Sequence, residues 1–357
     1  MKTRIVIIGG FLGAGKTTLA TKVAAKFKEM GKSAALVTND QGETLVDTQY
    51  TKSMGIDVEE VLRGCFCCRF PDFLRSARIL AVNSRPDIIL AEPVGSCTDL
   101  LSTVIAPLKT LYPNEFDVAP LLIVVDSPRL LSHAMEFETP GDYLKRCQIE
   151  EGEIIVLSKT DLVSTKDMPE LIQIIRRINP DAKIIQYSAV DNKGLDSIMS
   201  VITSHEVSQR RPIEIDYDIY AAAEAELGWY NGLYRFELDR RTDLYGLAIN
   251  ILKSIAGNYK AGEIAHVKLM IESESNALKI SLVDQQVSID GIKGTRHGEG
   301  KTMITVNARV VSSPEKLKRV VRESVHGVLH GMDIKIQSVE DSSFAPSRPQ
   351  PTYRMWQ

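Results

Sequence analysis

The stretch that most constrains this 357-residue chain lies at its start. Four apolar residues, Ile5 to Ile8, lead into Gly9-Gly10 and then into the pattern G-x-x-x-x-G-K-T, from Gly10 through Gly15, Lys16 and Thr17. Leu19, Val23, Ala24 and Phe27 follow at helical spacing. A buried strand that enters a helix through so glycine-rich a turn is built to hold an anion. Gly10, Gly13 and Gly15, with Ala14 between them, let backbone N–H groups converge without Cβ interference. The helix N-terminus adds the positive end of its dipole, with Thr18 in its first turn. Lys16 is placed for the β- and γ-phosphates of a nucleoside triphosphate, and Thr17 for Mg²⁺.

Further apolar runs repeat at intervals. Ser33–Thr38, Asp87–Ala91, Leu121–Val125, Ile154–Leu157 and Ile184–Tyr187 read as buried strands, with a shorter one at Val58–Leu62. Helical periodicity separates several of them, at Pro71–Val82, Met168–Ile178 and Leu195–Thr203. The expectation is an α/β fold: a mostly parallel sheet covered by helices on both faces, of the P-loop NTPase type. That domain is placed at 1–204, a polar linker at 205–215, a smaller α+β domain of ferredoxin-like type at 216–341, and a proline-rich, poorly ordered tail at 342–357.

Composition narrows the function. A net charge of −3 argues against a general nucleic-acid binder. No apolar run approaches the roughly 20 residues that span a bilayer, and the N-terminal run passes directly into the phosphate loop, so no membrane partner and a cytoplasmic location are expected. Five cysteines then suit reduced thiols or a metal site better than a disulfide framework.

Ser158-Lys159-Thr160-Asp161 follows a late strand. A carboxylate there can accept two hydrogen bonds from the N1–H and N2–H₂ groups of guanine, while the lysine stem lies along the purine. Adenine lacks that donor pair, and polar mismatches of this kind discriminate strongly. Ser188-Ala189, after the next strand, is positioned to cover the base edge. Guanine is therefore favoured.

GFLGAGKTT, NDQGE, GCFCC, AEPVG and SKTD occur in the order found in the CobW-like GTPases, which the region from Met1 to Ile202 resembles. They are similar in turn to the nickel-insertion GTPases of urease and hydrogenase maturation. The resemblance implies GTP binding with Mg²⁺, slow hydrolysis, handling of Zn²⁺ or Co²⁺, and nucleotide-dependent homodimerisation. A client metalloprotein or a cobalamin-dependent enzyme would be the partner. By position in these motifs, Glu92 reaches Mg²⁺ through a water, Gly95 closes the strand-end turn, and Asp40 orients the attacking water, with Gln41 as second choice. The chain departs from the family pattern at Ser158, usually asparagine, and at Pro93-Val94, usually a hydroxyl pair.

Cys65-Phe66-Cys67-Cys68 places three soft ligands in four positions before a helix, a pattern that points to a thiophilic metal. Three thiols leave a tetrahedral site one ligand short, which Glu43 or Asp40 could complete if the loop moves with the nucleotide. Cys97 and Cys147 are isolated in sequence and read as core. His326 and His330 share a helix face but lack a third ligand. The γ-phosphate would order residues 39–43, and the segment from Val46 to Val61 would carry that state to the cysteines. Two alternatives stand beside this switch: an ATP- or GTP-dependent small-molecule kinase or ligase, and a nucleotide-gated assembly or repair factor for a cobalamin-dependent enzyme.

Overall fold

The computed structural model describes residues 2–39, 46, 51, 52, 55–62, 64–132, 140–274 and 276–356. The chain divides into two compact units. One comprises Met1–Gln41, Thr51–Ala223 and Arg348–Gln357; the other comprises Gly42–Tyr50 and Glu224–Ser347.

The first unit is built on parallel strands: β1 (Thr3–Gly9), β2 (Ala34–Asn39), β3 (Val58–Val61), β4 (Ile88–Glu92), β5 (Phe116–Val118), β6 (Leu122–Asp126), β7 (Ile154–Ser158) and β8 (Lys183–Gln186). Their order is β3-β2-β4-β1-β6-β7-β8, with β5 also beside β1. Each pairing is parallel. Successive residues Ile5, Val6 and Ile7 are fully buried, so both faces of the central strand are covered. The helices are α1 (Lys16–Glu29), α2 (Phe70–Asn83), α3 (Ala106–Leu111), α4 (Ser127–Ser132), α5 (Pro140–Glu151), α6 (Met168–Ile178) and α7 (Leu195–Ile202). A π-helical turn at Leu101–Ile105 precedes α3.

Parallel strands deliver their carboxyl ends to one edge. Gly9, Asn39, Glu92, Asp126 and Ser158 therefore end on the same side of the sheet. β1 lies between β4 and β6, where the order jumps, and such switch points are where open α/β sheets bind ligands. Two elements have little sequence signal. β5 is only three residues long, and α5 has a narrow apolar face resting on Leu144 and Cys147.

The second unit begins near the end of α8 (Tyr217–Ala225) and holds β9 (Leu227–Asp243), α9 (Leu244–Ala256), β10 (Ile264–Ser273), β11 (Asn276–Val283), β12 (Gln286–Lys293), β13 (His297–Val311), α10 (Pro314–Gly331) and β14 (Ile336–Phe344). The antiparallel order is β12-β11-β10-β13-β9-β14. The four strands β14-β9-β13-β10 and the two helices make the ferredoxin-like core, and the β11–β12 hairpin extends one edge. β12 escapes sequence detection because most of it is polar and exposed. Val46 belongs to this unit. Its N–H donates to Asn307 Oδ1 at 2.9 Å, and its side chain packs with Met270 and Ala277.

The tail differs from expectation. Ser342–Phe344 complete β14, and the segment from Arg348 packs within the first unit. The reason is backbone pairing: Thr352 N–H donates to the Cys67 carbonyl at 2.8 Å and Met355 N–H to the Ser102 carbonyl at 2.9 Å. Arg354 adds an ion pair to buried Asp99 at 3.0 Å.

Glu151 closes α5 deep in this unit. Thr98 Oγ1 donates to its Oε1 at 3.0 Å and Leu101 N–H to its Oε2 at 3.3 Å. Burial, reinforced by the charge of Asp99, pushes its pKa up to about 8. A carboxyl raised in the folded state binds its proton more tightly there than in the unfolded chain. Its contribution to stability therefore falls as pH rises from the ordinary carboxylate range through about 8. Glu151→Gln should flatten that decline in thermal unfolding followed against pH. Parallel profiles for variant and parent would contradict the assignment.

Candidate functional site

The phosphate loop joins β1 to α1. Gly10, Gly13 and Gly15 have φ of 131°, 80° and 97°. A Cβ on Gly10 would sit 2.2 Å from the Val124 carbonyl oxygen, so only glycine fits against β6. Ala14 N–H donates to the Phe11 carbonyl at 3.2 Å, and Lys16 Nζ curls back to the same carbonyl at 3.3 Å. Lys16 is 6% exposed, and Thr18, in the first turn of α1, is half-buried. The left-handed glycines and the start of α1 form the cradle that phosphates require.

Thr17 Oγ1 donates to Glu92 Oε1 at 2.9 Å, a buried bond between α1 and the end of β4. This pair of oxygens suits Mg²⁺, one directly and one through water. Gly95 comes up against the loop: a Cβ there would lie 2.9 Å from the Leu12 nitrogen. Arg129, after β6, donates to the Leu12 carbonyl at 3.3 Å and stacks on Phe11.

The base-side residues behave unequally. Ser158 is buried, and its hydroxyl lies 2.7 Å from the Ala14 carbonyl and 3.0 Å from that of Val125. It braces the phosphate loop against the sheet. Lys159, at φ 56°, is held by Asp126 at 2.6 Å, and Asp161 is exposed in the following turn. Ser188 is buried, with Oγ accepting from Asp191 N–H at 3.2 Å, and Ala189 is half-buried. Asp40, Gln41 and Glu43 lie outside the described residues.

Asn39, the last residue of β2, connects this pocket to the cysteines. Its Nδ2 donates to the carbonyls of Val61 (2.9 Å) and Gly64 (2.7 Å), and its Oδ1 accepts the Phe66 N–H at 2.9 Å. The C-x-C-C turn therefore hangs from the strand end that leads into the NDQGE loop. Phe66 stacks on Phe73 of α2 with centroids 4.4 Å apart, and Arg69 N–H closes the turn on the Cys65 carbonyl at 2.8 Å.

Cys65, Cys67 and Cys68 bring their sulfurs within 4.8 Å of one another. Cys65 and Cys67 are 2.8 Å apart and Cys67 and Cys68 3.8 Å, the latter about the edge of a tetrahedron with Zn–S bonds of about 2.3 Å. Hydrogen bonds from Cys67, Cys68 and Cys97 hold the Cys65 thiol well below its usual pKa. Donation to Cys65 pushes Cys67 well up and Cys68 up to about 12. Cys97, read as core from the sequence, is buried.

The C-terminal segment straps the turn. Gln350 N–H donates to Cys68 Sγ at 3.2 Å, Thr352 Oγ1 to the Cys68 carbonyl at 3.2 Å, and Tyr353 meets Phe70 edge-on. Nothing in the spacing of a proline-rich tail announces these contacts. Among the described residues, His326 and His330 join no such ligand group, and no helix is long and apolar enough to cross a membrane.

A phosphate loop on a parallel sheet, with a thiol cluster hung from an adjacent strand end, defines a P-loop protein whose three cysteines could hold a soft metal. The chain belongs to the CobW/HypB/UreG family, whose nucleotide-binding domain matches residues 4–186, just over half of it. "Zinc chaperone CobW" of Sinorhizobium sp is 27% identical over 266 residues, covering 64% of this chain and 73% of that protein. "Zinc chaperone YeiR" of Escherichia coli (strain K12) is 28% identical over 199 residues, covering 54% of this chain and 58% of its own length. The chain thus spans less than two thirds of that second relative. The Zn(II)-bound YjiA GTPase from E. coli is 15% identical, with a TM-score of 0.37 over 92% of this chain and 99% of that one.

Asn39→Ala removes three hydrogen bonds from the cysteine turn. It should destabilise the fold by about 1–3 kcal/mol, read by denaturant unfolding. Zinc affinity, read by chelator competition, should fall on the order of 10- to 100-fold. Unchanged zinc affinity would remove Asn39 as the support of the metal turn.

Proposed function

We propose that this protein is a GTP-driven metallochaperone. It would bind GTP at the phosphate loop, hydrolyse it slowly, and carry a thiophilic divalent cation, zinc before cobalt, on Cys65, Cys67 and Cys68 for delivery to a client protein. The observation that carries the reading is the Asn39 carboxamide, which ties the strand end beside the phosphate loop to the turn that presents the thiols. The names of the zinc-chaperone relatives agree with it.

In this reading Lys16 and the loop amides hold the phosphates. Mg²⁺, when bound, supplies charge neutralisation across the β- and γ-phosphates. Thr17 and Glu92 would together hold the cation. Ser158 keeps the loop braced while Lys159 and Asp161 address the guanine base. Asp40 positions the attacking water. Without a further cation aimed at the transferred phosphoryl group, turnover is slow. The metal itself is cargo, so its site must open as well as close.

Nucleotide and metal selectivity test the proposal. The purified chain should bind GTP well over ATP, hydrolyse it slowly, and take up one equivalent of Zn²⁺. Lys16→Ala should abolish nucleotide binding and leave zinc uptake intact. Cys67→Ser should cost more zinc affinity than the roughly 10- to 100-fold of an outer-shell change. A preference for ATP with phosphoryl transfer to a small molecule would instead favour a kinase. Zinc uptake indifferent to Cys67→Ser would remove the metal reading.

A further inference from the structure

The strap over the cysteine turn has the contacts of a peptide seated in a groove. It carries no helix or strand from Arg348 onward, and its backbone does much of the binding. Gln350 N–H donates to Cys68 Sγ at 3.2 Å, Thr352 N–H to the Cys67 carbonyl at 2.8 Å and Met355 N–H to the Ser102 carbonyl at 2.9 Å. Two side chains are received individually. Tyr353 stands edge-on to buried Phe70, with ring centroids 5.3 Å apart. Arg354 Nε donates to Asp99 Oδ2 at 3.0 Å, and its guanidinium lies 4.9 Å over the Tyr217 ring. Main-chain bonds that give affinity, with side-chain places that give specificity, are how segments of this kind are recognised. The strap also lies shallow: Thr352 and Arg354 are exposed, and Trp356 is 51% exposed. Asp99 is the deep part of the groove, at 1% exposure, where it also accepts from Ser102 Oγ at 2.5 Å and Tyr217 Oη at 2.7 Å.

We propose that this groove is the docking site of the client protein, and that the strap holds it until a client segment with an aromatic residue followed by an arginine takes the strap's place. The inference rests on the metallochaperone reading and deepens it by naming the chemistry of the partner. Asp99 sets the terms of the exchange. A buried carboxylate stripped of its cation is strongly destabilising, so the strap leaves when a second cation arrives, not by simple opening. Arginine suits the place because it can pair with Asp99 and stack on Tyr217 together. An aromatic residue just before it meets Phe70 as Tyr353 does. The exchange also changes the metal turn. Gln350 N–H leaves Cys68 Sγ, and the Thr352 hydroxyl leaves the Cys68 carbonyl, while Asn39 still holds Gly64 and Phe66. The docked segment then lies against Cys68, the thiol nearest to a receiving protein. Between encounters the strap keeps that thiol covered.

The test uses the full chain and, as probe, a labelled synthetic peptide of the strap's own sequence, Arg348 to Gln357, followed by fluorescence anisotropy. Apparent affinity scales with the fraction of chains whose groove is free. Full-length Arg354→Ala and Tyr353→Ala chains, whose straps are weakened, should each bind the peptide at least about tenfold more tightly than the parent does. A peptide carrying Arg354→Ala brings no cation to Asp99 and should bind those chains at least about tenfold more weakly. Loaded with Zn²⁺, the Arg354→Ala chain should pass zinc to a chelator at least about tenfold faster than the parent, and excess unmodified peptide should restore the parent rate. No binding by either weakened chain, or equal binding of the two peptides, would overturn the docking assignment. So would peptide binding that leaves zinc transfer unchanged. A parent that dimerises in solution through exchange of the strap, with the dimer lost in Arg354→Ala, would give the groove to a second copy and overturn the client. The peptide titration needs no metal, so a parent that takes up no zinc would overturn the metallochaperone reading separately. Should Arg354→Ala unfold, Tyr353→Ala decides.

Discussion

The carboxamide of Asn39 is the interaction on which the functional architecture depends. It is placed at the carboxyl end of β2, at the edge of the sheet where the phosphate loop also emerges. Two donated bonds and one accepted bond hold Val61, Gly64 and Phe66. No other side-chain chemistry does this as compactly, because an amide offers donor and acceptor on one rigid plane. A shift of the strand end must move the cysteine turn or break those bonds. Either outcome changes how three sulfurs face one another. Gly64, at φ 152°, allows the sharp entry to that turn, and a Cβ there would meet Arg69 at 2.7 Å.

Parallel topology explains why the site can be assembled from distant segments. β2, β4 and β1 lie side by side, so Asn39, Glu92 and the phosphate loop emerge at one edge. From β4 the chain runs on through Gly95 and Cys97 to Asp99, a buried carboxylate at φ 64° that accepts from Ser102, Tyr217 and Arg354. Burial raises the pKa of Asp99 even with Arg354 beside it. The C-terminal strap is thereby anchored at two points, on the cysteine turn and on Asp99. The cysteine turn is tied by hydrogen bonds to a strand end and to the strap.

Much of this was legible in the chain. Gly10 to Thr17 could be read because every residue there answers a local demand of the phosphate cradle. The strands β1, β4, β6 and β7 were evident because burial on both faces forces uninterrupted apolar runs. The C-x-C-C turn was legible because three soft ligands in four positions have few other uses. The strap was not, since its contacts join residues more than 280 positions apart and leave no periodicity. Asn39 was visible as a loop residue, but its partners are backbone atoms, which carry no sequence signature. Ser158 shows how a motif position leaves local contacts unread: its hydroxyl donates to the Ala14 carbonyl of the phosphate loop, a backbone partner with no sequence signature.

The route from the strand end beside the phosphate loop to the sulfurs, through Asn39, makes coupling the central physical claim. Its most direct measurement is calorimetric titration of a non-hydrolysable GTP analogue into the chain with and without one equivalent of Zn²⁺. Coupling through Asn39 predicts that zinc changes the analogue's affinity by about 5- to 150-fold, and that the analogue changes zinc affinity by the same factor. Equal analogue affinity in the two titrations would contradict it.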